Sequence, residues 1–412
     1  MTVHLLTGDC REVLRALPAD SVHCVITSPP YWGLRIYAGD LAGQIGLEPT
    51  LGERIAVLVE VMREVRRVLR PDGTVWLNYG DCYATSPNGR SAAATKAAGG
   101  DDRTFRDKPF STIGGVLKPK DLVMAGARLA IALQEDGWWL RRRIVWAKKN
   151  PMPDSVKDRP ASAHEDVFLL TKAAHYFYDD EAVRQPGAED GLRPITSPNG
   201  LWDIGAEEGG RGSPQKPGKP RAVPPRHARY KSSNRASLDG VPRGGGRRLS
   251  DVWPIAIAPF RESHSATFPP LLVELCVAAG TSAHGVCSVC GSPWERVLGE
   301  PEPADGRGSG NLVRTPGEDR IAGASHVGRG FPWEPSERPT IGWRPTCTCE
   351  GADVVPATVL DPFGGAGTVA MVADRMQRSA ISIDLSGEYI DIARRRCCGD
   401  GGLLTDLREA LP

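Results

Sequence analysis

The sequence predicts an α/β protein built on a doubly wound, mostly parallel sheet. The prediction comes from two alternations of strand and helix. The chain opens with an apolar run at residues 3–6, an amphipathic stretch at 11–17 and a second apolar run at 22–26, which together form a βαβ unit. Residues 359–384 repeat the pattern, with a glycine-rich turn between the first strand and the helix. Short buried strands that alternate with helices are typical of a parallel sheet covered on both faces.

The residues between these two units continue the alternation. Apolar side chains recur at helical spacing from Ile55 to Leu69, and Pro71-Asp72-Gly73 ends that helix. Further strands are predicted at residues 74–77, 140–146 and 167–170, and further helices at 121–135, 271–279 and 388–396. Residues 82–116 lack periodicity, and we predict a mobile loop there, because loops of this length are usually functional or disordered.

The composition limits the function classes. At 412 residues the chain is long for one domain, which predicts a core domain with insertions. Its 51 basic and 50 acidic residues leave a net charge of +1, so the overall charge indicates no particular partner. The sequence has no run of 18 apolar residues and no signal pattern at its start, and we therefore expect a cytosolic protein. In that compartment the ten cysteines are expected to be thiols or metal ligands.

The first candidate site follows the strand at residues 22–26. It reads Thr27-Ser28-Pro29-Pro30-Tyr31-Trp32. Neither proline has an N–H, so this backbone offers carbonyls, and the Ser28 hydroxyl lies beside them. Ligands bind at the carboxyl ends of strands in open α/β sheets. Two acceptors here could hold the hydrogens of a nucleobase amino group and free its lone pair, while Tyr31 stacks on the base. The alternative is a Pro-Pro turn with no chemical role.

The second candidate site is the turn Asp361-Pro362-Phe363-Gly364-Gly365-Ala366-Gly367-Thr368. Its glycines permit a tight turn and close approach of a ligand to the backbone, and the helix that follows would attract a carboxylate. Asp384 ends the next strand, where a carboxylate holds ribose hydroxyls in nucleotide-type sites. The turn lacks the lysine of a phosphate loop. A ribose-bearing cofactor with a carboxylate, such as S-adenosylmethionine, therefore fits it better.

Taken together, the two motifs resemble those of the DNA amino-methyltransferases. Their order, with the catalytic motif first, resembles the circularly permuted beta group of N4-cytosine and N6-adenine enzymes. The resemblance implies a Rossmann-like doubly wound sheet that is circularly permuted. It covers residues 1–170 and 251–396, and it includes three further segments. These are Gly8-Asp9 at the first strand, residues 146–153 beside the target-base pocket, and residues 264–269, which close over the methionine part of the cofactor.

The resemblance also implies a reaction. The target base is flipped out of double-stranded DNA, and its amino nitrogen takes the methyl group of S-adenosylmethionine by positioning, with no covalent enzyme intermediate. The implied catalytic residues are Ser28, Pro29, Pro30 and Tyr31. The implied cofactor-binding residues are Asp9, Thr267, Phe268, Asp361, Phe363, Gly364, Gly365, Gly367, Thr368 and Asp384. Cytosine N4 is the expected acceptor, because cytosine-specific relatives usually carry a serine at the Ser28 position and adenine-specific ones an aspartate. Adenine N6 is the alternative.

The resemblance and the composition divide the chain into five regions. Residues 1–180 form a catalytic half that contains the loop at 82–116, and residues 181–250 form a variable, basic, partly disordered DNA-recognition region. Residues 251–286 return to the catalytic domain. Residues 287–350 form a cysteine-paired insertion, and residues 351–412 form the cofactor-binding half. Within residues 211–248, eleven basic side chains face the single acid Asp239. This segment is either an arm that neutralises phosphates or a solvated linker.

The inserted cysteines form two close pairs. Cys287 and Cys290 are separated by two residues, and Cys347 and Cys349 by one. Paired thiols in a segment rich in glycine and proline are typical of a structural zinc site, in which the metal holds together a region that lacks its own core. His284 is a spare candidate ligand. The alternative is four unrelated thiols.

Two other function classes remain open. RNA or protein-amide methyltransferases use the same cofactor, but they usually carry Asn or Asp before Pro-Pro-Tyr and place the cofactor motif first. A non-catalytic DNA-binding subunit could keep the fold, but the intact Ser28, Tyr31, Gly365 and Gly367 argue against this reading. The family also leaves open a cognate restriction enzyme as a partner and a monomeric or homodimeric state.

Overall fold

The computed structural model describes residues 1–33, 43–85, 110–151, 153, 156–185, 248–258, 269–300, 338–400 and 406–410. Its strands are β1 (Thr2–Thr7), β2 (Val22–Thr27), β3 (Leu69–Tyr79), β4 (Trp139–Lys148), β5 (His164–Thr171), β6 (Val252–Ile255), β7 (Val286–Cys287), β8 (Trp294–Leu298), β9 (Thr340–Pro345), β10 (Val354–Val355), β11 (Thr358–Asp361), β12 (Ser379–Asp384) and β13 (Asp406–Arg408). Its helices are α1 (Cys10–Ala16), α2 (Leu51–Val68), α3 (Ala125–Glu135), α4 (Pro270–Gly280), α5 (Thr368–Arg375) and α6 (Gly387–Asp400).

Nine of the described strands form one sheet, in the order β13-β1-β12-β11-β2-β3-β5-β4-β6. The strands from β13 to β3 run parallel, β5 is antiparallel to both of its neighbours, and β6 is parallel to β4. This arrangement confirms the predicted mostly parallel α/β sheet. Because β11 and β12 lie between β1 and β2, strands from the two ends of the chain meet at the centre of the sheet. Their carboxyl ends therefore share one edge.

Helices cover both faces of the sheet. One apolar core contains side chains of α4, α5 and α6, and the other contains side chains of α1, α2 and α3. Helix α2 begins at Leu51, earlier than its apolar pattern indicates, because Thr50 and Glu53 form a capping box. The Thr50 hydroxyl accepts from the Glu53 N–H at 3.2 Å, and the Glu53 carboxylate accepts from the Thr50 N–H at 3.0 Å.

The helix predicted at residues 121–135 is wrong in its first turn. Helix α3 begins only at Ala125, and the preceding residues are extended. The Val123 N–H donates to the Cys82 carbonyl at 2.9 Å, and Tyr83 pairs with Leu122. The Asp81 carboxylate accepts from the Ala125 N–H at 3.2 Å and so marks the start of the helix. The backbone groups of residues 122 and 123 thus pair with the loop after β3 and not with a first helical turn.

Several predicted segments lie wholly or partly outside the described residues. Of the predicted loop at 82–116, the structure describes 82–85 and 110–116, which contain isolated bridges but no regular element. Most of the basic region, including residues 211–247, and the cofactor candidates Thr267 and Phe268 also lie outside. In the described part of the chain, no helix has the length and apolarity that crossing a membrane requires.

Candidate functional site

A cleft of about 1040 Å³ opens at the carboxyl edge of the sheet. Both sequence motifs contribute to its walls, one following β2 and the other following β11. The residues predicted from the sequence that line it are Ser28, Pro29, Pro30, Tyr31, Asp9, Asp361, Phe363, Gly364, Gly365, Thr368 and Asp384. Gln44, Leu385 and Tyr389 also line it and were not predicted. The fold thus brings two segments from opposite ends of the chain to one cavity.

Tyr31 is held firmly within the turn at residues 27–32, which the sequence predicts to be catalytic and which is called the catalytic turn below. Its hydroxyl donates to Glu165 Oε2 at 2.8 Å, and its ring centroid lies 5.2 Å from that of Tyr79. The backbone of Gly80 approaches the ring so closely that a Cβ there would lie 2.5 Å from Tyr31 Cε2. Burial, with the nearby Glu165 carboxylate, raises the pKa of the Tyr31 hydroxyl well above its usual value. Tyr31 is therefore a neutral hydrogen-bond donor in a fixed orientation.

Glu165 was not predicted as a site residue. It lies on β5 opposite Trp146 of β4, so the antiparallel pairing brings it beside the catalytic turn. The Lys148 ammonium forms an ion pair with Glu165 Oε1 and lies 5.0 Å from the Trp146 ring. Tyr31, Glu165 and Lys148 thus form a chain of contacts from the catalytic turn to the end of β4. A lone glutamate in a strand gives no sequence signal for this role, although Lys148 lies in the segment that resembles the base-pocket wall.

Asp361 lies at the junction of the two motifs. It is only 1% exposed, and its Oδ1 accepts from the Thr27 hydroxyl at 2.8 Å and from the Phe363 N–H at 3.0 Å. Burial raises the pKa of this carboxyl to about 7. The hydrogen bond from Thr27 links the catalytic turn directly to the turn at residues 361–368, which is predicted to bind the cofactor and is called the cofactor turn below. The carboxyl can change its charge near neutral pH, so a cationic group in the cleft would favour its ionised form.

Asp384 lies at the end of β12, beside the glycine-rich turn. Its two oxygens accept from the Gly365 N–H at 2.9 Å and the Ser386 N–H at 2.8 Å. Gly365 has φ +50°, a left-handed conformation that favours glycine. Burial raises the pKa of the Asp384 carboxyl. Each carboxylate oxygen has a second lone pair, so Asp384 can accept hydroxyl hydrogens from a ligand while it holds the turn.

The other predicted residues of this turn have packing roles. Gly367 does not line the cleft, and a Cβ there would lie 2.5 Å from Ala393 Cβ on α6. Gly364 leaves no room for a side chain because the Ser382 hydroxyl lies behind it. Thr368 lines the cleft, and its hydroxyl accepts from Arg396 Nη1 at 2.9 Å. The turn is therefore shaped by close contact with β12 and α6 as well as by any ligand.

Asp9 lines the cleft from the β1 side and caps helix α1. It accepts from the Arg11 N–H at 2.8 Å, and it forms an ion pair with the Arg11 guanidinium at 2.5 Å. The hydrogen bond from that guanidinium holds the pKa of the Asp9 carboxyl below its usual value. Asp9 is thus an ionised group whose position is set by its neighbour two residues on.

The four paired cysteines come together at the opposite end of the sheet, near the first residues of β2, β3 and β11. The sulfur atoms of Cys287, Cys290, Cys347 and Cys349 all lie within 4.8 Å of one another. His284 is not part of the group, and its ring instead stacks on Trp343 with centroids 5.5 Å apart. The expectation of a spare histidine ligand is therefore wrong, because the two rings stack.

The cysteine cluster is attached to the main sheet by hydrogen bonds. Arg70 Nη1 donates to the Cys290 carbonyl at 2.6 Å. His23 lies at 3.1 Å from the Gly291 carbonyl through Nε2, and its Nδ1 accepts from the Thr358 N–H at 3.0 Å. Burial lowers the pKa of His23 to about 4, so it is neutral and Nε2 carries the hydrogen. The loop between Cys287 and Gly291 is thus fixed to the first residues of β2 and β3.

The chain is similar to several known proteins. A model of the DNA methylase family matches residues 22–287 and 356–395. The type II methyltransferase M.XycI of Xanthomonas campestris pv. cyanopsidis is 34% identical over 96% of this chain and 87% of its own. M.Cfr9I of Citrobacter freundii is 33% identical over 96% and 88%. The solved structure of PvuII DNA methyltransferase (cytosine-N4-specific) covers 99% of this chain and 96% of its own, with 15% identity and a TM-score of 0.47. On its match to the family model and to these two relatives, the chain belongs to the DNA methylase family of N6 and N4 amino-methyltransferases.

Proposed function

We propose that this protein transfers a methyl group from S-adenosylmethionine to the amino nitrogen of a base flipped out of double-stranded DNA, with cytosine N4 as the acceptor. The observation that carries the proposal is the shared cleft. The turn after β2 offers acceptors for an amino group, and the turn after β11 offers a nucleoside-type site in the same cavity. A methyl donor and a base can therefore meet within one open cleft.

The residues at the cofactor end fit S-adenosylmethionine by their chemistry. Asp384 retains acceptor capacity for ribose hydroxyls, and the N-terminus of α5 suits a carboxylate. Asp361 suits the ammonium group, because a buried carboxyl with a raised pKa is stabilised in its ionised form by a nearby cation. We assign Asp9 and Phe363 to the adenosine or sulfonium region. When bound, S-adenosylmethionine supplies an electrophilic methyl group.

The residues at the catalytic end act on the base. The Ser28 hydroxyl and the Pro29 carbonyl accept the two hydrogens of the amino group, which withdraws its lone pair from the ring and makes the nitrogen a better nucleophile. The Tyr31 ring, fixed by Gly80 and Glu165, supports the base. Alignment of the nitrogen with the methyl donor supplies most of the rate. The proton that the nitrogen loses leaves along these acceptors or to solvent.

The choice of cytosine over adenine rests on Ser28. Cytosine-specific relatives usually carry a serine at this position and adenine-specific ones an aspartate. Both side chains can accept an amino hydrogen, so the choice of base comes from this resemblance. Mass spectrometry of digested DNA from cells that express the protein distinguishes the bases. Methyl on cytosine N4 supports the proposal, methyl on adenine N6 alone would replace the base while keeping the reaction, and methyl found only on RNA or protein would overturn the DNA substrate.

Ser28→Ala tests the catalytic turn directly. We expect it to reduce turnover at least a hundredfold, because one of the two acceptors is lost, while cofactor affinity stays unchanged. Ser21→Ala is the matched control, since its hydroxyl donates to the Pro18 carbonyl beyond the other end of β2. Methyl transfer at saturating cofactor and DNA is the measurement. Near wild-type turnover in Ser28→Ala would contradict the assigned role.

We further infer that residues 181–250 recognise the DNA sequence, with the basic arm at 211–248 contacting phosphates. The support is the charge of this segment and its position between the catalytic and cofactor halves. The proposed division of the chain into five regions is compatible with the sheet, to which residues 1–180 and 351–412 contribute most of the strands.

We also propose that the cysteine cluster binds one structural zinc ion. Tetrahedral coordination at about 2.3 Å from each sulfur places the sulfurs about 3.8 Å apart. The four sulfurs already lie within 4.8 Å of one another, so a small closure would suffice. The ion would join β7 to the segment between β9 and β10, where only short strands pair. The metal would thus hold together the described part of the insertion, whose paired strands are short.

A further inference from the structure

Arg54 is a charged residue in the core of the protein. It lies in the first turns of α2, and its side chain is 0% exposed. Arginine is almost never fully buried unless its charge is paired, and it is not deprotonated in proteins. Its burial therefore requires partners that compensate the loss of water, and those partners identify what the side chain does.

Two partners of Arg54 belong to the catalytic turn and to the segment beside it, and its guanidinium also interacts electrostatically with the Tyr79 hydroxyl at the end of β3. Its Nη2 donates to the Pro30 carbonyl. Its Nη1 lies 3.4 Å from Glu48 Oε1. The Glu48 side chain is 11% exposed, so this ion pair is shielded from solvent. One guanidinium thus connects helix α2, the Glu48 carboxylate and the backbone of the Pro-Pro motif.

Glu48 extends the connection to the far side of the turn. Its carboxylate accepts from the Gly46 N–H at 3.0 and 3.1 Å, and its carbonyl accepts from Trp32 Nε1 at 2.8 Å. The Gly33 N–H donates to the Gly46 carbonyl at 3.0 Å. A Cβ on Gly46 would lie 3.3 Å from Pro30 Cβ, so the two segments are in close contact. The catalytic turn is thus held from both sides.

The backbone of the turn has few free dihedrals. The pyrrolidine rings fix φ at Pro29 and Pro30, so the orientation of Tyr31 relative to the Pro29 carbonyl depends mainly on ψ at Pro30 and φ at Tyr31. A hydrogen bond to the Pro30 carbonyl fixes ψ at Pro30. In the described part of the chain, no hydrogen bond to the Pro29 carbonyl is seen, and Pro29 lines the cleft. One carbonyl is therefore anchored and its neighbour is left for a ligand.

We propose that Arg54, supported by Glu48, is a positioning residue for methyl transfer: it fixes the Pro30 carbonyl so that the Pro29 carbonyl and the Tyr31 ring meet the target base in one arrangement. This inference rests on the proposed function. Neither Arg54 nor Glu48 lines the cleft, so their effect passes through the turn. Displacement of a reacting group by about 1 Å reduces turnover on the order of a hundredfold, and loss of this anchor should act in that way.

The experiment compares two variants with a control on the same helix. Arg54→Leu combined with Glu48→Gln removes the charged pair without leaving one charge buried alone. Arg54→Lys keeps the charge and one donor. Arg63→Ala removes an exposed arginine that pairs with Asp136 on the opposite side of α2 from the turn, and it should match the wild type. Melting temperature, cofactor affinity by calorimetry, and kcat and KM for DNA are measured for each protein.

We expect the double variant to lose thirtyfold or more in kcat while its cofactor affinity stays within threefold of the wild type. Arg54→Lys should lose less activity, with a kcat three- to thirtyfold below that of the wild type. A folded double variant with wild-type kcat would overturn the proposal, and so would equal losses of kcat and cofactor affinity. If the double variant does not fold, Arg54→Lys decides alone, and wild-type kcat in it refutes the proposal. An inactive wild-type protein would instead refute the proposed function.

Discussion

Replacing Asp361 by Asn should stabilise the fold increasingly as the pH rises. The carboxyl is buried between the two motifs, and its pKa is raised by burial to about 7 from the usual 3.8. In the unfolded chain it ionises near pH 4, whereas in the folded protein it stays protonated until about pH 7. Asparagine has no charge to bury, and its carbonyl can accept from Thr27 and from the Phe363 N–H as the aspartate does.

The size of the effect follows from the raised pKa. The stability that the neutral carboxyl contributes is fully present below about pH 4 and is lost as the pH rises through about 7. Each pKa unit corresponds to about 1.4 kcal/mol, so the full penalty in the wild type is about 4 kcal/mol above neutral pH. The advantage of Asp361→Asn should thus grow from about 2 kcal/mol at pH 5 to about 4 kcal/mol at pH 8.

Urea unfolding of both proteins from pH 5 to pH 8 measures this difference. Asp391→Asn is the control, because that side chain on α6 is more than half exposed and its ion pair with Arg394 lies at the surface. Parallel stability curves for the wild type and Asp361→Asn would refute the reasoning. The same substitution should weaken binding of S-adenosylmethionine, because the ammonium group loses its carboxylate partner. The variant would therefore be more stable and less able to bind its cofactor.

Four further results are expected. Asp384→Ala should weaken cofactor binding at least tenfold with the fold intact, and unchanged affinity by calorimetry would remove its assigned role. Glu165→Gln keeps an acceptor for the Tyr31 hydroxyl but loses the charge attraction to Lys148. We expect kcat to fall several-fold while the melting temperature stays constant, and an unchanged kcat would show that the charge is unimportant. Purified protein should carry about one zinc per chain by elemental analysis and Cys290→Ser much less, whereas a metal-free wild type prepared without chelator contradicts the zinc proposal. Deleting residues 211–248 should lower the salt dependence of DNA binding, and an unchanged salt slope would identify the segment as a linker.

The sequence predicted the elements around the two motifs well, because those strands are short apolar runs with Gly or Pro at their ends. It missed β6, which contains Pro254, since proline indicates against a strand. The structure places β6 at the edge of the sheet, where a missing N–H is tolerated. The error at residues 121–124 has a similar origin, because the pairing of Tyr83 with Leu122 joins residues that local periodicity cannot relate.

Within the candidate site, prediction reached the residues that belong to a motif and missed those that support them. Arg54 lies one turn before Leu58 on the buried face of α2, but the sequence does not show the Pro30 carbonyl and the Glu48 carboxylate that make its burial possible. Glu165 is an ordinary polar residue in a strand until β4 and β5 pair. The bond from Thr27 to Asp361 joins residues far apart in the chain, and only the resemblance to a permuted family indicated that these segments meet.

The central position of β11 and β12 bears on how the protein is made. Strands β1 and β2 leave the ribosome first, yet the strands that separate them are nearly the last to be synthesised. At about 5 to 20 residues per second, roughly 20 to 70 seconds pass before β2 can pair with β11. During that interval the nascent chain presents an open strand edge to its surroundings and has no cofactor turn. The enzyme thus becomes competent only near the end of translation, and a ribosome that stalls before residue 361 releases a chain that cannot modify DNA.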